Sequence, residues 1–221
     1  MDVETVAHPS QQLSTPARGD RVARTREAII GSALALALAG QVAPIVRDIA
    51  QMAGVSARTV FQHFADTAEL YVAVLGRVLA AAFGEMDFNV AWGLDERIAM
   101  IINQSSERGE RLLPMWTFVE TLQRRSTEAS DMIAQMYSAN RAQLASWFEH
   151  ELAALPTESR ERTLNALAMA LAPESWVVLR ERLGLPVEQA RDELGFVARA
   201  VLSGGAHRAY PTGPALRAGD P

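Results

Sequence analysis

The chain contains no cysteine, which excludes disulfides, thiolate nucleophiles and cysteine-based zinc sites. It contains no lysine either. All 21 basic residues are arginine, so every cationic contact to a phosphate has to come from a guanidinium. Histidine is scarce and scattered: His8, His63, His150 and His207 include no pair at metal-ligand spacing. His150 stands between Glu149 and Glu151, which are neighbouring and not facing positions on a helix. Glu107 and Glu110 form a carboxylate pair, but Arg108 and Arg111 interleave it, the pattern of a solvated charged face and not of acid/base chemistry. No glycine-rich phosphate loop and no serine in a nucleophile elbow occurs. The expectation is a non-enzyme with no catalytic residue, no metal and no cofactor. Period-two alternation and β-branched residues are both sparse, which argues against strands. No apolar run is long enough to cross a bilayer, and no membrane partner is expected.

The longest apolar run is Ala28 to Gly40, AIIGSALALALAG. It has the look of a signal-peptide core. It starts late, however, and Glu27 adjoins it. Read as a helix, it puts Ile29, Ile30, Ala33, Leu34, Ala37 and Leu38 on one face at steps of three and four. The helical reading is the one carried forward, with the cytoplasm as the expected location.

At 221 residues the chain can bury about 70% of its unfolded surface. The hydrophobic share of 49% and the charged share of 21% suit an ordinary globular protein. The net charge is −5, at first sight unfavourable for a nucleic-acid partner, but its distribution is uneven. Between Arg18 and Thr67 six arginines face four acids, while the rest of the chain is acidic. A positive head on a negative body favours approach to a polyanion by one surface only.

Within that positive stretch, Val46 to Phe64 reads VRDIAQMAGVSARTVFQHF. Ile49, Ala50 and Ala53 make one apolar face at helical spacing. Gly54 falls where a first helix must stop in a left-handed cap, and Ser56 is placed to cap a second helix. Val60 and Phe64 form the inner face of that helix, leaving Ala57, Arg58, Thr59, Gln62 and His63 outward. Several of these side chains can hydrogen-bond to base edges or phosphates.

The order of a leading helix (Arg24 to Ala39), VRDIAQMAGVS, RTVFQHF and DTAELYVAVL resembles the DNA-binding head of the TetR/AcrR family of transcriptional regulators, over about Arg21 to Leu75. The resemblance implies an all-α fold of about nine helices, a helix-turn-helix head joined to a helical ligand-binding and dimerisation domain. It implies a homodimer that binds a near-palindromic site on double-stranded DNA, represses transcription, and lets go when a small apolar or amphipathic molecule changes the spacing of the two heads. On that reading the DNA-binding residues are Arg24, Arg47, Ser56, Arg58, Thr59, Phe61, Gln62, His63 and Thr67. Three positions depart from the family pattern: Ile45 where a capping threonine is usual, Phe61 in place of a phosphate-binding tyrosine, and Thr67 where lysine is common. These departures motivate an alternative, a TetR-like module that binds a ligand or a protein and has weakened DNA recognition.

The expected organisation is a disordered arm over 1–17, the head over 18–66, the regulatory and dimerisation domain over 67–205 and a flexible tail over 206–221. Helices are expected from Asp66 or Thr67 to Phe83, after a cap at Asp95, after Pro114, from Thr127 to Leu155, from Thr157 to Ala172, after Pro173, and from Pro186 to Gly204 and Gly205. Aromatic and polar residues mix on the middle helices, a make-up typical of small-molecule sites. The candidate ligand residues are Met100, Asn103, Gln104, Trp116, Phe118, Glu120, Met136, Tyr137, Asn140 and Trp147, each with a competing reading as plain core. The stretch ESWVVLRERLGLPVEQARDELGFVARAVLSG resembles the last two helices of the family, which pair between subunits. Trp176, Leu179, Leu183, Leu194, Val197 and Val201 are therefore expected at a dimer interface.

Overall fold

The structure is a computed structural model of one chain and describes residues 18–84 and 88–203. The expected arm, the tail, His8, His207, Gly204 and Gly205 lie outside the described residues. Helices follow one another as α1 (Arg18–Leu38), α2 (Val46–Met52), α3 (Ala57–His63), α4 (Thr67–Ala82), α5 (Leu94–Leu112), α6 (Trp116–Arg125), α7 (Thr127–Trp147), α8 (Glu149–Ala153), α9 (Thr157–Ala170), α10 (Pro173–Val177) and α11 (Val187–Leu202). A 3₁₀ turn, Leu113–Met115, joins α5 to α6, and a π-helical turn, Val178–Arg182, extends α10. The fold is all-α; no strand occurs among the described residues.

Several boundaries differ from the sequence expectation. Gly93, not Asp95, caps α5, and the Glu96 carboxylate reaches back to accept the Gly93 N–H at 3.0 Å. Pro114 sits in the 3₁₀ turn ahead of α6, where its missing N–H costs no helical bond. The stretch 127–155 divides at Phe148 into α7 and α8. In α1 the inner face includes Leu36, and Leu38 is 45% exposed.

The division at Phe148 has a visible cause. The Arg97 side chain is buried and donates to the Trp147 carbonyl at 2.7 Å, capturing an acceptor at the end of α7. It also donates to the Trp92 carbonyl at 3.1 Å and pairs with the Glu151 carboxylate of α8. Its guanidinium lies 5.3 Å from the centre of the Phe148 ring. One arginine thus ties α5, the loop before it, the end of α7 and α8.

Two apolar clusters make up the core. The first runs from Ile29, Ile49, Val60 and Phe64 in the head through Leu70, Val74 and Val78 of α4 to Met115, Phe118 and Ile133 in the body. The second joins α5, α7, α8 and α9 to Trp176 and α11. Within the second cluster Trp176 is 1% exposed, and its indole presses on the Gly109 backbone, which bears no Cβ to obstruct it.

Candidate nucleic-acid interface and ligand cleft

The turn between α2 and α3 closes as the sequence predicts. The Val55 N–H donates to the Ala50 carbonyl at 3.0 Å and the Gly54 N–H to the Gln51 carbonyl at 3.2 Å. Gly54 adopts φ +68°, which completes a Schellman end and favours glycine. Ser56 then caps α3, its Oγ accepting the Thr59 N–H at 3.0 Å. The Ser56 and Thr59 hydroxyls also bond each other at 2.8 Å, so both are engaged within the turn. Ile49, Ala50, Val60 and Phe64 are buried on the inner side. Arg58, Phe61 and Gln62 are exposed on the outer side of α3, with Thr59 and His63 half-buried beside them.

The surrounding head holds α3 in place. The Arg26 guanidinium sits 4.6 Å from the centre of the Phe64 ring, an attraction between cation and ring face. Asp66 caps α4 by accepting the Glu69 N–H at 2.8 Å, and Glu69 returns to accept the Ala65 N–H at 2.6 Å. Thr67, the first residue of α4, is half-buried. The Tyr71 hydroxyl donates to the Pro44 carbonyl at 2.5 Å, while its ring meets Phe118 edge-on at 5.5 Å. Tyr71 therefore connects the loop before α2, α4 and α6, a link that sequence reading missed. Burial pushes its hydroxyl above the ordinary tyrosine range. Arg24 is exposed and its Nε donates to the Asp20 carbonyl at 3.3 Å. Arg47 is exposed beside Asp48 at 3.2 Å. Ile45 precedes α2 without a side-chain cap and is 50% exposed.

In the body, an open cleft of about 540 Å³ lies between α4 and α7. Met136 and Asn140 line it, together with Phe83, Met132 and Gln143. Asn140 makes no side-chain hydrogen bond among the described residues, so its amide is available toward the cleft. A much smaller cavity shares Leu79, Phe83 and Met136 with the cleft and is closed on its far side by Trp116, Tyr137 and Glu174. The Tyr137 hydroxyl donates to the Glu174 carboxylate. Burial first, and that bond second, raise the Tyr137 hydroxyl well above the ordinary tyrosine range.

The remaining expected ligand residues are not brought to this space. Phe118 is 3% exposed, its ring spent on Tyr71. Trp147 is 8% exposed and stacks on Phe88 at 4.2 Å between ring centres. Both are core residues, because their helices turn these rings inward. Met100 and Gln104 bond each other along α5, amide to sulfur, at 3.5 Å. Asn103 faces α11 and bonds Glu107 at 3.1 Å. Glu120 is half-buried on α6 and lines neither cavity.

The expected interface set needs a similar correction. Trp176 and Leu194 are buried within the protomer's own core, where a second subunit could not reach them. The Trp176 Nε1 donates to the Glu110 carboxylate at 2.9 Å, and Arg180 donates to the same oxygen at 2.7 Å. That bond from Arg180 is the main reason the Glu110 carboxyl is held below its usual range. Leu179 and Val201 are half-buried. Leu183 and Val197 are exposed, and so are Met169, Val178 and Phe196, which sequence reading did not single out.

Among the described residues no cluster of three or more potential metal ligands occurs, and no helix is long and apolar enough to cross a membrane. A small capped helix-turn-helix carried on a larger helical body defines a class of two-part all-α proteins. No protein-family profile and no curated protein matches this chain, but solved structures do. A TetR-family transcriptional regulator from Streptomyces coelicolor matches with a TM-score of 0.67 at 19% identity, over 84% of this chain and 83% of its own. A transcriptional regulator from Rhodococcus sp. Rha1 matches with a TM-score of 0.62 at 16% identity, over 83% of this chain and 96% of its own. The chain has the fold of the TetR-family transcriptional regulators.

Proposed function

We propose that the protein is a DNA-binding transcriptional regulator that works as a homodimer and represses from a near-palindromic site. The observation that carries this reading is the outer face of α3: Arg58, Phe61 and Gln62 stand exposed on a short helix capped by Ser56, within a head richer in arginine than in acid. Arginine and glutamine are side chains that read base edges in a major groove. Arg24 and Arg47, both exposed, serve the phosphates.

Two copies pair through the exposed apolar side chains of α9 and α11, Met169, Phe196 and Val197, with Leu183 at the edge. That surface supports the pairing because scattered single hydrophobes are normal, whereas several on adjoining elements mark an interaction site. An apolar or amphipathic molecule in the cleft between α4 and α7 presses on α4, which reaches the head. The DNA-free alternative draws on uncapped Ile45 and on Phe61, an apolar side chain 50% exposed on the reading helix.

Fluorescence anisotropy on the duplex upstream of the protein's own gene separates the two readings. Saturable binding that is lost in the double variant Arg58→Ala, Gln62→Ala supports the regulator. A parent protein that binds that duplex no better than unrelated DNA supports the alternative.

A further inference from the structure

On a different face of α4 from the cleft, a second groove of about 260 Å³ opens between α1, α4 and the 3₁₀ turn before α6. It shares no lining residue with the α4–α7 cleft. Leu34 and Leu38 of α1 form one wall, Val78 and Ala81 of α4 another, and Met115 the end. Leu38 is 45% exposed there, at the end of a helix whose Ile29, Ile30 and Leu36 are buried. Among the described residues, the charged ones lining the groove are Arg77 and Arg111. Arg77 pairs with Glu27 at 2.7 Å, and both partners are about half exposed. Such a surface pair contributes little and exchanges readily. Arg111 makes no ion pair among the described residues.

A third arginine reinforces the sign of this region. Arg108 is buried, donates to the Ala82 carbonyl at 3.0 Å and lies over the Phe83 ring. Burial first, and neighbouring Arg111 second, pull its guanidinium down to about 10. The described lining of the groove is thus apolar with two arginines at its edge, one of them paired with Glu27.

We propose that this groove binds a small anionic amphiphile, a carboxylate bearing a short alkyl chain. The chain lies against Leu34, Leu38, Val78 and Met115, and the carboxylate replaces Glu27 as the partner of Arg77 with Arg111 beside it. Arginine pairs with carboxylates through two parallel N–H donors, and each buried methylene adds about 0.8 kcal/mol. Because the walls come from both head and body, the occupant touches both at once. The proposal concerns binding alone and stands whether or not α3 reads DNA.

Calorimetric titration of the full-length protein with hexanoate, octanoate and octylamine tests it. Octanoate binds with a stoichiometry of one per chain and about fifteenfold more tightly than hexanoate, the equivalent of two methylenes. Octylamine does not bind. The double variant Arg77→Gln, Arg111→Gln weakens octanoate by tenfold or more, and Ala81→Trp, which fills the groove, abolishes it. Glu27→Gln, which removes the competing carboxylate, tightens it. Ala139→Trp, placed on the α7 side of the other cleft, leaves octanoate binding unchanged. Thermal melts establish that each variant is folded. The proposal is overturned if octanoate does not bind, if octylamine binds equally well, or if binding survives the groove variants and disappears in Ala139→Trp.

Discussion

The indole of Trp176 lies against the bare backbone of Gly109, so close that a Cβ at that position would come within 2.2 Å of the ring's Cδ1. Glu110, the next residue, accepts the indole N–H at 2.9 Å. Neighbouring positions of α5 thus admit the ring and fix its orientation, joining α10 to α5.

This contact determines how Gly109→Ala behaves. Alanine would favour the helix by about 1 kcal/mol. The obstruction, however, is a rigid and fully buried ring, and overpacking a tight core costs about 1–3 kcal/mol. The variant is expected to be net destabilised by up to about 2 kcal/mol in urea unfolding, with a changed near-ultraviolet tryptophan signal. A Gly109→Ala protein more stable than the parent, with an unchanged tryptophan signal, would refute this close packing.

Acid should loosen the body through Glu151. Burial works to raise its carboxyl, but the hydrogen bond from Arg97, a backbone hydrogen bond and the charge of Arg97 together outweigh it, and the net shift is downward. A carboxyl depressed by folding contributes stability that is complete above its unfolded value and is lost as pH falls through the folded one. The loss therefore begins below about pH 4.5. Glu151→Gln is expected to unfold more easily at neutral pH, since breaking a buried pair costs about 3–5 kcal/mol, and to show a flatter acid slope. Urea midpoints measured from pH 7 to pH 3 test both parts.

If α3 reads DNA as proposed, Arg58→Ala and Gln62→Ala are each expected to weaken specific duplex binding by about 1–3 kcal/mol for every base contact removed. Affinity should also fall steeply with salt, as counterions are released from the phosphates. Anisotropy titrations at several salt concentrations provide the measurement, and an affinity indifferent to salt would argue against groove binding.

For the proposed pairing of subunits, Phe196→Glu is the sharpest probe, because Phe196 is 68% exposed and its loss removes little packing within the protomer. The variant is expected to sediment as a monomer and to keep its helical circular dichroism. Trp176→Ala would be uninformative, since it disrupts the protomer's own core. A dimer unaffected by Phe196→Glu would move the interface elsewhere.

The helix-turn-helix was legible because its determinants are local. Gly54, Ser56, Val60 and Phe64 act on neighbours within a few residues, so spacing alone places them. The body was legible as helices but not as a site. Trp147 and Phe118 have the composition of a pocket, yet their burial depends on which neighbouring helix each ring meets, and spacing along one helix does not encode that. Spacing puts Trp176 and Leu194 at an interface for the same reason, and carries no sign that Phe196, on the same helix as Leu194, is exposed. Arg97 gave no warning in sequence, because an arginine amid Ile98, Ile101 and Ile102 looks like the polar edge of an amphipathic helix.

The first apolar cluster does not stop at the end of the head. Leu70, Val74 and Val78 of α4 belong to one cluster with Ile29 and Phe64 of the head and Met115 and Phe118 of the body. Severing the chain after residue 66 would leave the three leading helices with a raw hydrophobic wound. Such a fragment would aggregate rather than read a sequence, and grafting these helices onto a foreign partner would require α4 to travel with them.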